Sequence, residues 1–464
     1  MKGLRYAMVT SLVVSMLACP SDPQVGDPRP LVRADDDAAT HLESLKSGDL
    51  NVLFIVIDTL RASHLRIHGY PRDTSPTLDS LAATGLSFRN HEAQSSWTKC
   101  SMASMWTSLS PQHTGVLRAP DVLPSEAVLP AEILRDAGFV TAGIWRNGWV
   151  HPNFGFGQGF EVYQRPLATP VPAAVRRQFP QVIAGSDDDV TATAAEFMRQ
   201  QRGKRWFLYL HLMDLHQYVY DEDTALFGSG NADLYDNALR HTDRVISDLV
   251  ALLSHHDLLT RTLIVIGSDH GEAFGEHGNE GHARNVHREV THVPFIMGFP
   301  FRLERPIFVQ NRTQNVDIWP TLYELLGLAV PEGLDGRSML PSMLELARGR
   351  PEPALDRPTF AYLDRSWGRF TDVPSPLLAV SKGAFRLHYS DGPRARPALL
   401  YDLARDPHER RNLRNAHPGI VDELASTARE ALDQAPAWSS TEQLEIDEMD
   451  WKHLRALGYT LGKH

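Results

Sequence analysis

The chain has 464 residues, 42% of them hydrophobic and 22% charged, with 46 Lys and Arg against 57 Asp and Glu and a formal net charge of −11. These are globular values, which exclude wholesale disorder and a fibrous repeat. An acidic balance without a basic block also argues against nucleic acid as a partner, because neutralising a phosphate backbone takes a clustered positive face.

The chain opens with Lys2 and Arg5, an apolar run from Ala7 to Ala18, and Met16-Leu17-Ala18-Cys19. That order is expected of a lipoprotein-type signal peptide over residues 1–19, with Cys19 as the lipid-bearing residue. Residues 20–48, polar and opened by Pro20-Ser21-Asp22-Pro23, follow as a flexible tether. No other run approaches the ~20 apolar residues of a bilayer-spanning helix. Membrane contact is therefore expected through the lipid anchor only, after export to a bacterial cell envelope. Two cysteines, Cys19 and Cys100, leave no disulfide framework.

From Asn51 comes Val52-Leu53-Phe54-Ile55-Val56-Ile57, too short for a helix and rich in β-branched residues, the pattern of a strand covered on both faces. It ends at Asp58. Three further runs end similarly: Phe139–Ile144 before Arg146-Asn147, Trp206–Leu212 before Asp214 and His216, and Thr262–Ile266 before Asp269-His270. Polar residues thus gather at four strand ends, the edge of a parallel α/β sheet where ligands bind. Helical patterns separate the strands, as crossovers require. They cover Ala131–Ala137 after Pro130, about Ala232–Leu253, and about Ile318–Leu326. Asp236, Arg240 and Asp243 lie off the apolar stripe of the second of these and read as a solvated, ion-paired face. Short strand candidates at Thr359–Leu363, Leu377–Val380, Phe385–Tyr389 and Leu399–Tyr401 predict a smaller antiparallel sheet.

The chemistry concentrates in two segments. In Ser268-Asp269-His270-Gly271-Glu272, an adjacent carboxylate and imidazole at a strand end turn toward one divalent ion, and Asp58 from another strand completes a mixed O/N site. In Ser96-Trp97-Thr98-Lys99-Cys100-Ser101, the stripe Met102, Met105 and Leu109 predicts a short helix with Thr98 near its N-terminus. An oxygen there meets the positive end of the helix dipole and lies within reach of a metal.

The chain resembles the sulfatase family of the alkaline phosphatase superfamily from about Asn51 to Leu413. The motifs are Asn51 through Asp58-Thr59-Leu60-Arg61, Gly69-Tyr70 with Thr74-Ser75-Pro76-Thr77-Leu78-Asp79, and Ser101-Met102-Ala103-Ser104 with Thr107. They continue with Asp214-Leu215-His216, Ser268 through Glu272, Gly275-Glu276-His277-Gly278, Val316 through Leu322, and Leu400-Tyr401-Asp402-Leu403 through Asp406-Pro407 to Asn412-Leu413. The family nucleophile is a cysteine oxidised to formylglycine. Aligning Ser101 with the motif serine puts Cys100 at the proline position and Thr98 at the nucleophile position, and the Pro and Arg of the oxidation signal are missing. No formylglycine is expected. A threonine ester lacks the second hydroxyl by which formylglycine hydrate releases sulfate, which favours phosphoryl over sulfuryl transfer.

The resemblance implies an α/β fold, a mostly parallel sheet sandwiched by helices with a smaller C-terminal antiparallel sheet. It further implies a catalytic domain over residues 49–345, a C-terminal α+β subdomain over 346–436 and a tail over 437–464. Carried over by position, Asp58, Asp269, His270 and Thr98 are the expected ligands of one divalent ion, with Thr59 in place of a second Asp pointing to Mn, Zn or Mg ahead of Ca. Thr98, Arg61, His216 and His282 are the expected catalytic set and Asn147 a substrate contact; a structural salt bridge is the alternative for Arg61. His211 reads as a core or supporting residue and His277 as support for the Asp269-His270 loop. The expected activity is hydrolysis of a phosphate or sulfate ester, with transfer to an alcohol also open. The anionic substrate is expected to be of the glycan or lipid head-group kind, with specificity in the loops 164–187 and 217–231. The alternatives are a sulfatase by a route without formylglycine, or a non-catalytic lipoprotein that binds anionic glycans.

Overall fold

A computed structural model describes residues 27–167, 185–368, 373–439 and 443–444. The signal peptide, Cys19, the first residues after it, most of the specificity loop before Asp187 and most of the tail lie outside them. The described part of the segment expected as a flexible tether is folded instead: Leu31–Val32 pairs with Arg302–Leu303, and a helix over Ala38–Ser44 buries Leu42.

The main sheet has eight strands, β1 (Asn51–Ile57), β2 (Leu86–Glu92), β3 (Val140–Trp145), β4 (Val162–Gln164), β5 (Trp206–Leu212), β6 (Thr262–Gly267), β7 (Phe295–Gly298) and β8 (Ile307–Gln314). Their spatial order is β8-β2-β7-β6-β1-β5-β3-β4. All neighbours are parallel except β7, which runs antiparallel to both β2 and β6. The four strands read from their apolar runs form the contiguous stretch β6-β1-β5-β3, so their carboxyl ends lie side by side. Every residue of β1, β5 and β6 is buried, as continuous apolar runs require.

Side chains of β1 alternate between two cores. Val52, Phe54 and Val56 pack with α2 (Thr98–Thr107) and α6 (Ile318–Leu325), whose Trp106 and Trp319 stack at 5.4 Å. Leu53, Ile55 and Ile57 pack with α1 (Pro76–Ala83), α4 (Asp187–Gln200) and α5 (Asn231–His255) on the other face. The helix α3 (Pro130–Asp136) precedes β3.

Of the α5 residues read as a solvated, ion-paired face, Arg240 is partly exposed and paired with Asp73, but Asp236 and Asp243 are buried. Asp236 accepts from Tyr70 and Arg72 and faces His64 Nδ1 at 2.7 Å, while Asp243 accepts the Thr77 and Leu78 amides at 2.9 Å each. The reason is that the chain from Arg61 to α1 crosses α5 on its outer side. The free N-terminal amides of α1 then take Asp243 as a cap supplied by another helix.

The second sheet, β9 (Thr359–Asp364), β10 (Pro376–Lys382), β11 (Phe385–Ser390) and β12 (Leu399–Asp402), is antiparallel throughout, and α7 (Pro418–Leu432) packs on it. Arg386 of β11 is fully buried and donates to Glu92, Val286 and Thr291, tying this sheet to the end of β2 and to the segment before β7. The described part of the tail docks on the surface: Ala437 donates to His113 and Trp438 to Thr114.

Candidate metal centre and active site

Asp58, at the end of β1, and Asp269 and His270, just after β6, meet at the carboxyl edge of the sheet, their ligand atoms within 4.8 Å of one another and all buried. His270 Nδ1 donates to the Gly271 carbonyl at 3.0 Å, so Nε2 keeps its lone pair and turns it inward. That atom lies 3.3 Å from Asp269 Oδ2 and 3.8 Å from Asp58 Oδ1. Both carboxylate oxygens are buried and accept no hydrogen bond. Two orphaned, dehydrated anionic oxygens facing an imidazole lone pair are costly without a cation and fit one divalent ion.

The electrostatics agree. Burial and the like charge of Asp58 push the Asp269 carboxyl up, so this acid resists ionising without a counter-charge. Burial would raise Asp58 too, but its surroundings, with His211 in hydrogen-bond contact, hold it below its ordinary value. His211 on β5 approaches Asp58 Oδ2 at 3.2 Å and is held by Tyr209 at 2.6 Å, in line with its reading as a supporting residue. Thr59, next to Asp58, holds a left-handed φ of 63°, an unfavourable conformation for a β-branched residue that keeps the turn after Asp58 tight.

Thr98 is the first residue of α2, and its hydroxyl sits at the positive end of the helix. Its Oγ1 is 3.1 Å from His270 Nε2 and 3.3 Å from Asn147 Nδ2. Asn147, after β3, spends Oδ1 on the Trp149 amide, which turns Nδ2 toward Asp58 Oδ2 at 2.6 Å. Ser101, one turn along α2, donates to the Asp269 carbonyl at 2.5 Å, locking the helix to the metal-site loop. Cys100 is buried, its thiol pushed up to about 12, which makes it an inert core residue. Lys99 is also fully buried, with Nζ on the Ala119 carbonyl and 3.6 Å from the Phe154 ring centre.

His282 stacks on His270 with ring centres 4.5 Å apart and lies 4.9 Å from His216. Both oxygens of Glu272 lie 3.2 Å from His282 Nδ1. Burial disfavours the imidazolium of His282, yet the charge and hydrogen bond of Glu272 raise its pKa above the ordinary value. Burial lowers His216 to about 4. Glu272 thus favours the charged form of His282, while burial favours the neutral form of His216. Glu272 had been visible only as a motif letter; its role depends on the hairpin turn that brings His282 back to it.

Arg61 is not brought to the metal trio. Its guanidinium donates to Glu276 at 2.6 Å, to the Glu272 carbonyl at 2.9 Å and to Ser63 at 3.2 Å, so the salt-bridge alternative is the one seen. The reason is Gly271, where a Cβ would stand 2.2 Å from the Glu289 carbonyl and 3.2 Å from Arg61 Cγ. The arginine runs past that glycine and braces the Glu272–Glu276 segment.

His277 does not touch the trio either. It belongs to a second cluster in which His277 Nδ1 meets Glu289 at 2.7 Å, His287 Nδ1 meets Glu409 at 3.2 Å and His388 Nε2 meets Glu409 at 2.8 Å. Glu409 also accepts the Arg288 amide at 2.7 Å and lies 3.3 Å from Arg386 Nε. Here each carboxylate has hydrogen-bonded partners and a buried guanidinium already balances Glu409, unlike the orphaned oxygens of Asp58 and Asp269.

The sulfatase family model matches residues 50–328, more than half of the chain, and the model described as N-sulphoglucosamine sulphohydrolase, C-terminal, matches residues 275–435. The chain belongs to the sulfatase family, within the alkaline phosphatase superfamily, a metal-dependent group. Arylsulfatase K of Bos taurus is 26% identical over 220 residues, 47% of this chain but only 40% of that protein's length. Human arylsulfatase A is 24% identical over 449 residues, covering 82% of this chain and 86% of the relative. Among solved structures, the phosphonate monoester hydrolase of Agrobacterium radiobacter superposes with a TM-score of 0.66 at 20% identity, covering 86% of this chain and 98% of that one. A 2-O GAG sulfatase gives a TM-score of 0.66 at 18% identity over 82% and 92%. At these identities the structures show a shared fold.

Proposed function

We propose that this protein is a hydrolase of anionic esters in which Thr98 is the nucleophile and phosphoryl transfer is favoured over sulfuryl transfer. The observation that carries the reading is the Thr98 hydroxyl at a helix N-terminus, 3.1 Å from His270 Nε2, beside two orphaned carboxylate oxygens. Asp58, Asp269 and His270 would hold a divalent ion, with Thr98 Oγ1 as a further ligand. Such an ion supplies a lowered hydroxyl pKa and neutralises charge on the transferred group.

Thr98 Oγ1, its hydroxyl proton released to water, attacks the ester phosphorus in line, forming a phosphothreonine as the bond to the leaving oxygen breaks and that oxygen takes up a proton. Asn147 holds the Thr98 hydroxyl and Asp58 in fixed relation before attack. His282, backed by Glu272, binds the oxygens of the transferred group, and His216 donates an N–H to the same anion or the leaving oxygen. Water then releases the phosphoryl group from Thr98; an alcohol in its place would make the reaction a transfer. Arg61 acts at one remove, by fixing Glu272 and so His282.

The arylsulfatase relatives support sulfate-ester hydrolysis as the second reading. One relative of this fold is described with D-glucosamine-2-N,6-O-disulfate as its substrate, which supports a glycan ester as a substrate class to test. Export and anchoring through Cys19 belong to the same proposal, supported by Met16-Leu17-Ala18-Cys19. Palmitate labelling that survives Cys19→Ser would contradict the anchor. For the activity, release of p-nitrophenol from phosphate monoester, phosphodiester and sulfate is measured with Mn, Zn, Mg and Ca in turn. Faster turnover of a phosphate ester is expected; sulfate turnover alone would reverse the order of the two readings.

A further inference from the structure

Immediately before Asn147 the chain carries a buried charge cluster that the reaction scheme does not use. Arg146, at the carboxyl end of β3, is 2% exposed, and its Nη1 bridges Asp187 Oδ1 at 2.6 Å and Asp214 Oδ1 at 2.5 Å, while Nη2 donates to Gln217 at 3.0 Å. The two aspartates are laced to each other's backbone. Asp187 accepts the amides of Met213 and Asp214 at 2.9 Å, and Asp214 Oδ2 accepts the Asp187 amide at 2.9 Å. His241 of α5 stands 3.6 Å from Asp214 and 3.3 Å from Asp221. One guanidinium therefore joins the ends of β3 and β5 and the start of α4.

Stability alone is a weak reason for such a cluster, because removing these charges from water offsets most of their attraction and well-packed apolar side chains serve as well. What a guanidinium gives that an apolar side chain does not is a planar fork that fixes two partners at one geometry. The partners point to what is being fixed. Arg146 is the residue before Asn147, which touches both Asp58 and Thr98, and Asp214 lies two residues before His216, whose ring is 4.9 Å from His282.

We propose that Arg146 is a positioning residue: by clamping Asp187 and Asp214 it holds Asn147 and His216, on neighbouring strand ends, at the one separation the reaction uses. The inference rests on the roles given above to Asn147 and His216.

The test compares Arg146→Lys, Asn147→Ala and the double variant in the full chain, reading Mn affinity by calorimetry, and kcat and KM on whichever ester the unaltered protein turns over. Lysine keeps the charge and loses the fork. Arg146→Lys is expected to melt within a few degrees of the unaltered protein and to lose about 10- to 100-fold in kcat or in Mn affinity. The double variant is expected to lose clearly less than the product of the two single losses, because part of the Arg146 effect passes through the Asn147 amide. Unchanged kcat, KM and Mn affinity with only a lower melting temperature would overturn the proposal, and so would effects that multiply. If Arg146→Lys does not fold, Asp187→Asn replaces it, with the same coupling to Asn147→Ala expected and additive losses counting against the clamp. If the unaltered protein turns over no ester, the functional reading fails separately and calorimetry still decides the clamp: Mn affinities of Arg146→Lys and Asn147→Ala that both equal that of the unaltered protein contradict it. An active Thr98→Ala variant, by contrast, would remove the nucleophile and leave the clamp standing.

Discussion

Asn147 donates to Asp58 Oδ2 at 2.6 Å and lies 3.3 Å from Thr98 Oγ1, so a single amide holds a metal-site carboxylate and the proposed nucleophile together. Asn147→Ala leaves the trio in place and removes that register. A loss of about 10- to 100-fold in kcat is expected, with KM changed less. Asn147→Asp is expected to be worse, because it sets a third carboxylate against Asp58 and Asp269. Steady-state kinetics on the two variants checks the order.

Asp269→Asn separates the metal from the fold. In metal-free protein the substitution removes a buried like charge beside Asp58, which the raised Asp269 carboxyl marks as unfavourable, and is expected to increase stability by about 1 kcal/mol or more. Added Mn should stabilise the unaltered protein by about 2.7 kcal/mol at a hundredfold excess over Kd, and the variant by much less. Denaturant titrations with and without Mn read both effects.

His277 gives a stability term with a definite pH window. One ring nitrogen faces the Glu289 carboxylate at 2.7 Å and the other the Glu409 carbonyl at 3.1 Å, so both must donate and the ring must be cationic. The hydrogen bond it donates to Glu289 raises its pKa to about 8 against burial. The folded value exceeds the unfolded one of about 6.5, so the contribution is complete below pH ~6.5 and is lost as pH rises through ~8. Partial solvent exposure reduces it to the order of 1 kcal/mol. The stability gap between the unaltered protein and His277→Gln should therefore narrow by about that amount between pH 6 and pH 9. A constant gap would mean the ring is neutral.

Asp243 caps α1 from α5 by accepting the Thr77 and Leu78 amides. Asp243→Ala is expected to cost about 1–3 kcal/mol, because it leaves buried N–H groups without partners. Chemical denaturation measures this directly.

How much of this could be read from the sequence differs from residue to residue. The apolar runs of β1, β3, β5 and β6 and the ionisable residues after them carry their own signal, since a strand buried on both faces admits few polar side chains. Thr98, Asn147, Asp58, Asp269 and His270 are accordingly found together. The antiparallel β7 was not legible, because a four-residue apolar strand looks the same in either direction. Asp236 and Asp243 follow the period of a solvated face and are buried by a crossing segment that periodicity cannot see. Arg61 shares a strand-end motif with Asp58, but Gly271 and Glu276 decide where its long side chain goes. Glu272 and Arg146 act through partners 10 and 41 residues away, His282 and Asp187, and only the fold supplies that proximity.

The central claim is that Thr98 forms the bond to the transferred group. The most direct test is turnover of the preferred ester by Thr98→Ala at matched metal occupancy, with folding verified by melting temperature. The account predicts a loss of at least ~10³-fold, with Mn still bound by Asp58, Asp269 and His270. A folded Thr98→Ala variant that turns over the ester at the unaltered rate would contradict it.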